Sequence, residues 1–166
     1  MEQKKTLESI DLSYCRILNK DFSGVQFDGA NFDCTVFEDM DFTGCSFQNC
    51  NLDHARFSDC KLGNVKFDNC TMFDTGFYDN PMGSAKFQFC KMEGVQMDCC
   101  DLTDSDFSKC DIKESEFKNC NMRMVGFVST DGKGLTMENC DTDRMLVYDS
   151  EGILLKREPQ AGMTRQ

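Results

Sequence analysis

The stretch that decides the fold is Phe22-Ser23-Gly24-Val25-Gln26-Phe27-Asp28-Gly29-Ala30-Asn31-Phe32-Asp33-Cys34-Thr35-Val36-Phe37-Glu38-Asp39-Met40-Asp41-Phe42-Thr43-Gly44-Cys45-Ser46-Phe47. A phenylalanine returns at every fifth residue. Two places before most of them stands a small or slim residue: Val25, Ala30, Thr35, Cys45. The step of five extends outward to Leu7 and to Phe127, and all 25 positions on it are Phe, Leu, Ile or Met. The small column extends with it, broken only by Lys20, Met40 and Asn80, and the other three positions of each five are mostly polar.

A period of five fits neither common element. In a helix five residues turn the face by about 140°, which scatters the large residues around the axis. In a flat strand an odd period alternates them between faces. The chain must turn a corner once per repeat and coil, with a large and a small side chain pointing inward from each side, as in a solenoid. Cys50, Cys60, Cys70, Cys90, Cys100, Cys110, Cys120 and Cys140 recur at steps of ten and twenty, which a three-sided coil would scramble. Phe27, Phe47, Phe67, Phe87, Phe107 and Phe127 form an unbroken column at a step of twenty, which a four-sided coil stacks directly.

Segments such as Ala30-Asn31-Phe32-Asp33-Cys34 and Cys110-Asp111-Ile112-Lys113-Glu114 resemble the pentapeptide-repeat motif: a small residue, Asp or Asn, Leu or Phe, and two polar residues. The resemblance covers about residues 5–147. It implies an all-β fold, a right-handed quadrilateral β-helix of about seven coils, ~34 Å long at strand spacing. The family includes Qnr-type and MfpA-type quinolone-resistance proteins, bacterial proteins that resemble B-form DNA in shape and charge and bind DNA gyrase or topoisomerase IV. This chain departs from the Qnr pattern in two ways. Its repeat run carries no insertion, and its C-terminus shows no amphipathic dimerisation helix.

Residues 1–4 read as a lead, 5–129 as strict repeat and 130–147 as degenerate repeat, because Gly132 replaces the large residue. Residues 148–157 read as a cap. Met145 to Tyr148 and Ile153 to Leu155 are its expected hairpin arms, joined by a turn at Asp149-Ser150-Glu151-Gly152. Residues 158–166 are expected to be a disordered tail.

The chain has 166 residues and a net charge of −11, against the basic surface that nucleic-acid binding needs. No apolar run has the length of a membrane span, and none near Met1 reads as a signal core. A cytoplasmic protein with reduced cysteines is expected, binding neither nucleic acid nor membrane. Ten of the 12 cysteines fall in the inward column and read as small buried hydrophobes, while Cys34 and Cys99 point outward. There is no Cys-x-x-Cys to suggest zinc. The single histidine, His54, reads as a surface residue with no Cys or Ser to partner it. No metal, cofactor or catalytic group is expected. Gly24, Gly29, Gly44, Gly63 and Gly94 are expected at or near corners.

Charge divides unevenly among the four sides. Starting at residue 5, the first face carries no net charge and the fourth −2, while the second carries −5 and the third −4. Asp39, Asp59 and Asp79 occupy equivalent corners of the third face. Either they bond a backbone N–H, as turn aspartates do, or they form a stacked acidic ladder for a partner. Phe73 and Tyr78 are expected as adjacent outward aromatics beside it. The candidate protein-binding site is Glu38, Asp39, Asp59, Phe73, Asp74, Tyr78, Asp79 and Asp98.

Two functions remain open. One is a non-enzymatic acidic binding protein, a DNA mimic that engages a type II topoisomerase such as DNA gyrase or topoisomerase IV and gives quinolone protection. The other is a structural or scaffolding module, or a secreted effector, with no topoisomerase contact. The rod is read as a monomer or an end-to-end dimer.

Overall fold

The computed structural model describes residues 5–153. Among them there is no helix, and the longest strands have three residues. On the first face, Thr6–Glu8, Gln26–Asp28, Ser46–Gln48, Lys66–Asp68 and Lys86–Gln88 form a five-stranded parallel sheet, with Leu7, Phe27, Phe47, Phe67 and Phe87 in register. The opposite face is a seven-stranded parallel sheet built from Arg16–Leu18, Val36–Glu38, Arg56–Ser58, Gly76–Tyr78, Gln96–Asp98, Glu116–Lys118 and Thr136–Glu138. The second and fourth faces are held by single parallel bridges, such as Asn31 to Asn51 and Asp21 to Asp41. Every pairing links residues twenty apart, which is four pentapeptides per coil and about seven coils.

The residue before each large one decides which kind of face forms. On the bridged faces it is usually Asp or Asn, and its side-chain oxygen accepts the N–H two residues on: Asp11 from Ser13, Asp21 from Ser23, Asn31 from Asp33, Asp41 from Thr43. This Asx turn closes the chain locally. On the strand faces the same place holds Arg16, Gln26, Val36 or Ser46, which extend. Asp106 confirms the rule from the wrong face. It accepts the Ser108 N–H at 2.9 Å, makes only isolated bridges to Lys86 and Gly126, and breaks the first-face sheet. Beyond it only Gly126–Val128 and Leu146–Tyr148 pair. Lys61, Thr71, Pro81 and Lys91 lack an Asx group yet keep bridged geometry, imposed by their pairings with neighbouring coils.

The corners are residues in the left-handed region, including Asp39, Asp59 and Asp79 at φ 52, 54 and 57°. Asp and Asn tolerate that conformation better than most residues. Of the glycines expected at corners, Gly24, Gly29, Gly44 and Gly94 have positive φ; Gly63 does not, and Asn64 beside it turns the chain at φ 57°.

The large column fills the interior. Phe27, Phe47, Phe67, Phe87, Phe107 and Phe127 stack with centroids 4.7–5.3 Å apart and ring planes within 17°. Rings from neighbouring sides meet them edge-on, as Phe32 meets Phe27 at 83°. Both arrangements suit the aromatic quadrupole. Phe22 and the residues before it on that column are only partly buried, because among the described residues the first coil has a neighbour on one side alone.

The small column has two chemistries. On bridged faces the carbonyl of the large residue accepts the N–H three residues later, as Leu52 does from Ala55. The small residue there can lack a donor, as Val25, Ala55, Val65, Ala85, Val95 and Val125 do, while Thr35, Cys45, Thr75, Ser105 and Ser115 at the same positions add a side-chain donor to the bridged-face carbonyl one coil below. On strand faces that carbonyl instead receives a side-chain donor from the next coil. Cys60 donates to Phe37, Asn80 to Phe57, Cys90 to Phe67, Thr130 to Phe107 and Ser150 to Phe127. The same side chains accept a backbone N–H beneath them, as Asn80 does from Cys60 at 2.8 Å and Ser150 from Thr130 at 3.0 Å. Cysteine is slim, apolar enough for the core, and able to serve a carbonyl. That accounts for its ten-residue step. All twelve cysteines are free thiols. Burial pushes the Cys45 thiol up to about 12 and the Cys60 thiol up to about 11.

The expected hairpin at the C-terminal end is corrected. Leu146–Tyr148 pairs in parallel with Gly126–Val128, and Glu151 bridges Asp131 in parallel. Asp149 is an ordinary corner at φ 50°, so the chain keeps coiling through Glu151. Each finished coil presents N–H and C=O groups that template the next, even where Gly132 and Gly152 leave out a large side chain. Leu154 and Leu155, of the expected second arm, the lead at 1–4 and the tail at 158–166 lie outside the described residues.

Candidate functional site

The predicted binding residues fall into separate columns. Asp39, Asp59 and Asp79 do stack, one per coil, on the edge of the third face. Their backbone N–H groups bond Ser58, Tyr78 and Asp98 carbonyls in the next coil. Their carboxylates are exposed, and among the described residues none has a hydrogen-bond or ion-pair partner. Backbone capping belongs to the Asx residues one column away. The Asp39 column is an unneutralised ladder whose rungs, ~4.8 Å apart, repel by about 1 kcal/mol per pair even in water.

Glu38 is half-buried and neutralised by Arg16 at 2.7 Å. Asp98 is half-buried and accepts the Asn119 amide at 2.9 Å, the bond that does most to lower its carboxyl below the ordinary range. Asp74 is exposed on the second face, in the column of Gly94, where an added side chain would strike its carboxylate.

The aromatic pair is corrected. Phe73 and Tyr78 are both half-buried. Tyr78 folds flat across Gly76, in space that any side chain at position 76 would fill. The Arg56 guanidinium lies 4.2 Å over its ring, and its hydroxyl donates to Gln96 at 2.9 Å. The most exposed aromatics are instead Tyr14 and Tyr148, at 77% and 68%.

The acidic ladder borders a corner groove of about 380 Å³ lined by Asp39, Asp59, Asp21, Asp41, Lys20, Lys61 and Met40. Among the described residues the one ion pair there is Lys61 with Asp41 at 3.5 Å. The groove thus joins the third and fourth faces into one acidic edge, which face-by-face charge does not reveal.

The reading of His54 as unpartnered is also corrected. Its Nδ1 lies 3.1 Å from Asp33 Oδ1, and the Cys34 thiol donates to that same oxygen at 3.5 Å. The Asp33 hydrogen bond raises the imidazole pKa above its ordinary value. Cys34 and His54 are twenty residues apart, one coil, which is the separation that brings them together.

Comparison with known proteins follows the same lines. A family model described as a pentapeptide repeat region matches residues 20–97, and one described as pentapeptide repeats in eight copies matches 85–123. No curated protein sequence matches. Among solved structures, a trypsin-treated variant of QnrB1, a plasmid-mediated fluoroquinolone resistance protein, is similar with a TM-score of 0.73 and 13% identity, over 87% of this chain and 73% of that one. HetL, a pentapeptide repeat protein involved in heterocyst differentiation regulation in the cyanobacterium Nostoc, is similar with a TM-score of 0.53 and 10% identity, over 89% of each chain. With its twenty-residue coil, its inward Phe and Cys columns and these matches, the chain belongs to the pentapeptide-repeat family.

Proposed function

We propose that this protein is a non-catalytic docking rod whose acidic edge receives a basic protein, in the manner of a DNA mimic facing a type II topoisomerase. The observation that carries this reading is the Asp39–Asp59–Asp79 ladder, which stands without counter-ions among the described residues. Like charges in register oppose folding, and a cationic partner relieves them on binding. Pentapeptide-repeat proteins are typically structural or binding proteins rather than enzymes. Duplex DNA of ~34 Å carries about 20 charges, and the net −11 of this chain is about half of that. The fold it shares with the fluoroquinolone resistance protein QnrB1 makes DNA gyrase and topoisomerase IV the first partners to try.

The test is titration of purified gyrase with the wild-type rod, with the triple variant Asp39→Asn, Asp59→Asn, Asp79→Asn, and with a control, Glu8→Gln, Asp28→Asn, Asp68→Asn, on the opposite sheet. Asparagine already stands at equivalent corners as Asn49 and Asn69, which suits the ladder variant, and Gln48 and Gln88 share the control's column, which suits neutral amides there. The ladder variant is expected to bind at least tenfold more weakly and the control within threefold of wild type. Wild-type affinity should fall with added salt as the Debye length shortens. Equal losses in both variants would mean that the partner senses only overall charge.

A further inference from the structure

Tyr14, Cys34 and His54 occupy one corner column in successive coils, all in the left-handed region at φ 56–57°. The backbone beneath them is fixed by inter-coil bonds, with Tyr14 N–H on the Asp33 carbonyl at 2.8 Å and Cys34 N–H on the Asp53 carbonyl at 2.9 Å. Asp33 Oδ1 sits between the two heteroatoms, 3.1 Å from His54 Nδ1 and 3.5 Å from Cys34 Sγ. The three donor atoms all lie within 4.8 Å of one another. Around a tetrahedral zinc ion, with ligand distances of ~2.0–2.3 Å, neighbouring donors stand about 3.3–3.6 Å apart. Two of the three separations already approximate that geometry in a rigid wall.

We propose that Asp33, Cys34 and His54 form a site for a borderline-soft divalent metal ion of the zinc class, bound through one carboxylate oxygen, one thiolate sulfur and one imidazole nitrogen. Sulfur and nitrogen donors select zinc-like ions over magnesium or calcium, which take oxygen ligands. As the metal–sulfur bond forms, the thiol proton leaves to solvent. Tyr14 stands one coil below Cys34 in the same corner column, and the fourth position is left to water. Asp53 and Asp74 lie near enough to act on His54, and their negative field favours a cation. The site is independent of the acidic ladder, since none of its three ligands belongs to the Asp39 column.

The experiment uses cobalt(II) as a spectroscopic probe, titrated into the full chain kept reduced with a phosphine, followed by displacement with zinc. The variants are Cys34→Ser and His54→Asn, with Cys99→Ser as control for the other outward thiol. Ser84 and Asn64 hold the same kind of corner at φ 59 and 57°, so the first two substitutions suit the backbone. Wild type should bind one equivalent with a thiolate-to-cobalt charge-transfer band, which zinc removes and a large excess of magnesium does not. Cys34→Ser should abolish the band, His54→Asn should weaken cobalt binding at least tenfold, and Cys99→Ser should change neither. The proposal is overturned by absence of the band in wild type, by its survival in Cys34→Ser, by unchanged affinity in His54→Asn, or by its loss to magnesium.

Discussion

Cys90 donates its thiol to the backbone carbonyl of Phe67, 3.5 Å away in the preceding coil. The same contact recurs at Cys50, Cys60, Cys70, Cys100, Cys110 and Cys120, so the cysteine column is a hydrogen-bonding seam between coils. Its thiols are buried. A reagent needs access to the sulfur. Cys99 is exposed and Cys34 is outward and half-buried, so in the native protein a thiol reagent should modify these two first, while the buried thiols respond only on unfolding. Under denaturing, non-reducing conditions all twelve should titrate. A count well below twelve in protein kept from air would mean that the seam holds disulfides.

Phe67 is sandwiched between Phe47 at 4.9 Å and Phe87 at 5.0 Å and is 1% exposed. Truncation to alanine removes the ring from the middle of its column, where neither neighbour can collapse without breaking its own stack. The expected cost is about 3–5 kcal/mol, measured by urea unfolding. Phe22→Ala, in the partly open first coil, should cost less than half as much. Equal losses would mean that stacking position along the rod does not matter.

The fold was legible because burial in a solenoid obeys a strict arithmetic. Leu7 to Phe127 recur at five, and Phe27 to Phe127 at twenty, so the coil and its four sides follow from spacing alone. The alternation of sheet and tight turn was also written in the chain, as Asp or Asn before Phe22 and Phe42 but Gln26 before Phe27. What spacing does not carry is the direction of an outward side chain. Tyr78 was expected to project, yet it lies down because Gly76 leaves it room and Arg56 covers it. The Asp33–Cys34–His54 contact needs the coil length and a carboxylate from the adjoining column together. The last coil escaped because templating by backbone hydrogen bonds, such as Leu146 N–H on the Val125 carbonyl at 2.9 Å, outlasts the side-chain pattern that announces it.

Asp41 tests the Asx turns through pH. Its carboxylate accepts the Thr43 N–H at 2.9 Å, and this bond comes first among those that lower its pKa below the ordinary 3.8. A depressed folded-state value gives stability that is present above the unfolded value and lost as pH falls through the folded one. Asp41→Asn keeps the turn, as Asn31 and Asn51 do, and should flatten part of the acid limb. Asp41→Ala should lose about 0.5–1.5 kcal/mol at neutral pH as well. The check is unfolding free energy for the three proteins at neutral pH and below pH ~4. Identical acid limbs in Asp41→Asn and wild type would show that the turn oxygen carries no charge-dependent stability.

Ile153 occupies the space left by Gly132, since a Cβ on Gly132 would lie 2.6 Å from Ile153 Cγ1. The large column misses a residue at 132, and the chain supplies one from the coil above. Ile153 is 9% exposed and covers the core where Gly132 leaves out a large side chain. Ile153→Ala should cost about 2 kcal/mol, the low end for a buried aliphatic. Gly132→Ala should also destabilise the wild type, because the new methyl meets Ile153 before it meets a void. The two effects share one volume and cannot add. In the Ile153→Ala background, Gly132→Ala enters vacated space and should be neutral or stabilising, a coupling of about 1 kcal/mol. Gly132 does not need a positive φ, so its backbone tolerates alanine, and the close contact with Ile153 is the term that the double variant removes. Thermal unfolding of the two single variants and the double variant measures the cycle. Strict additivity would place Ile153 elsewhere than over Gly132.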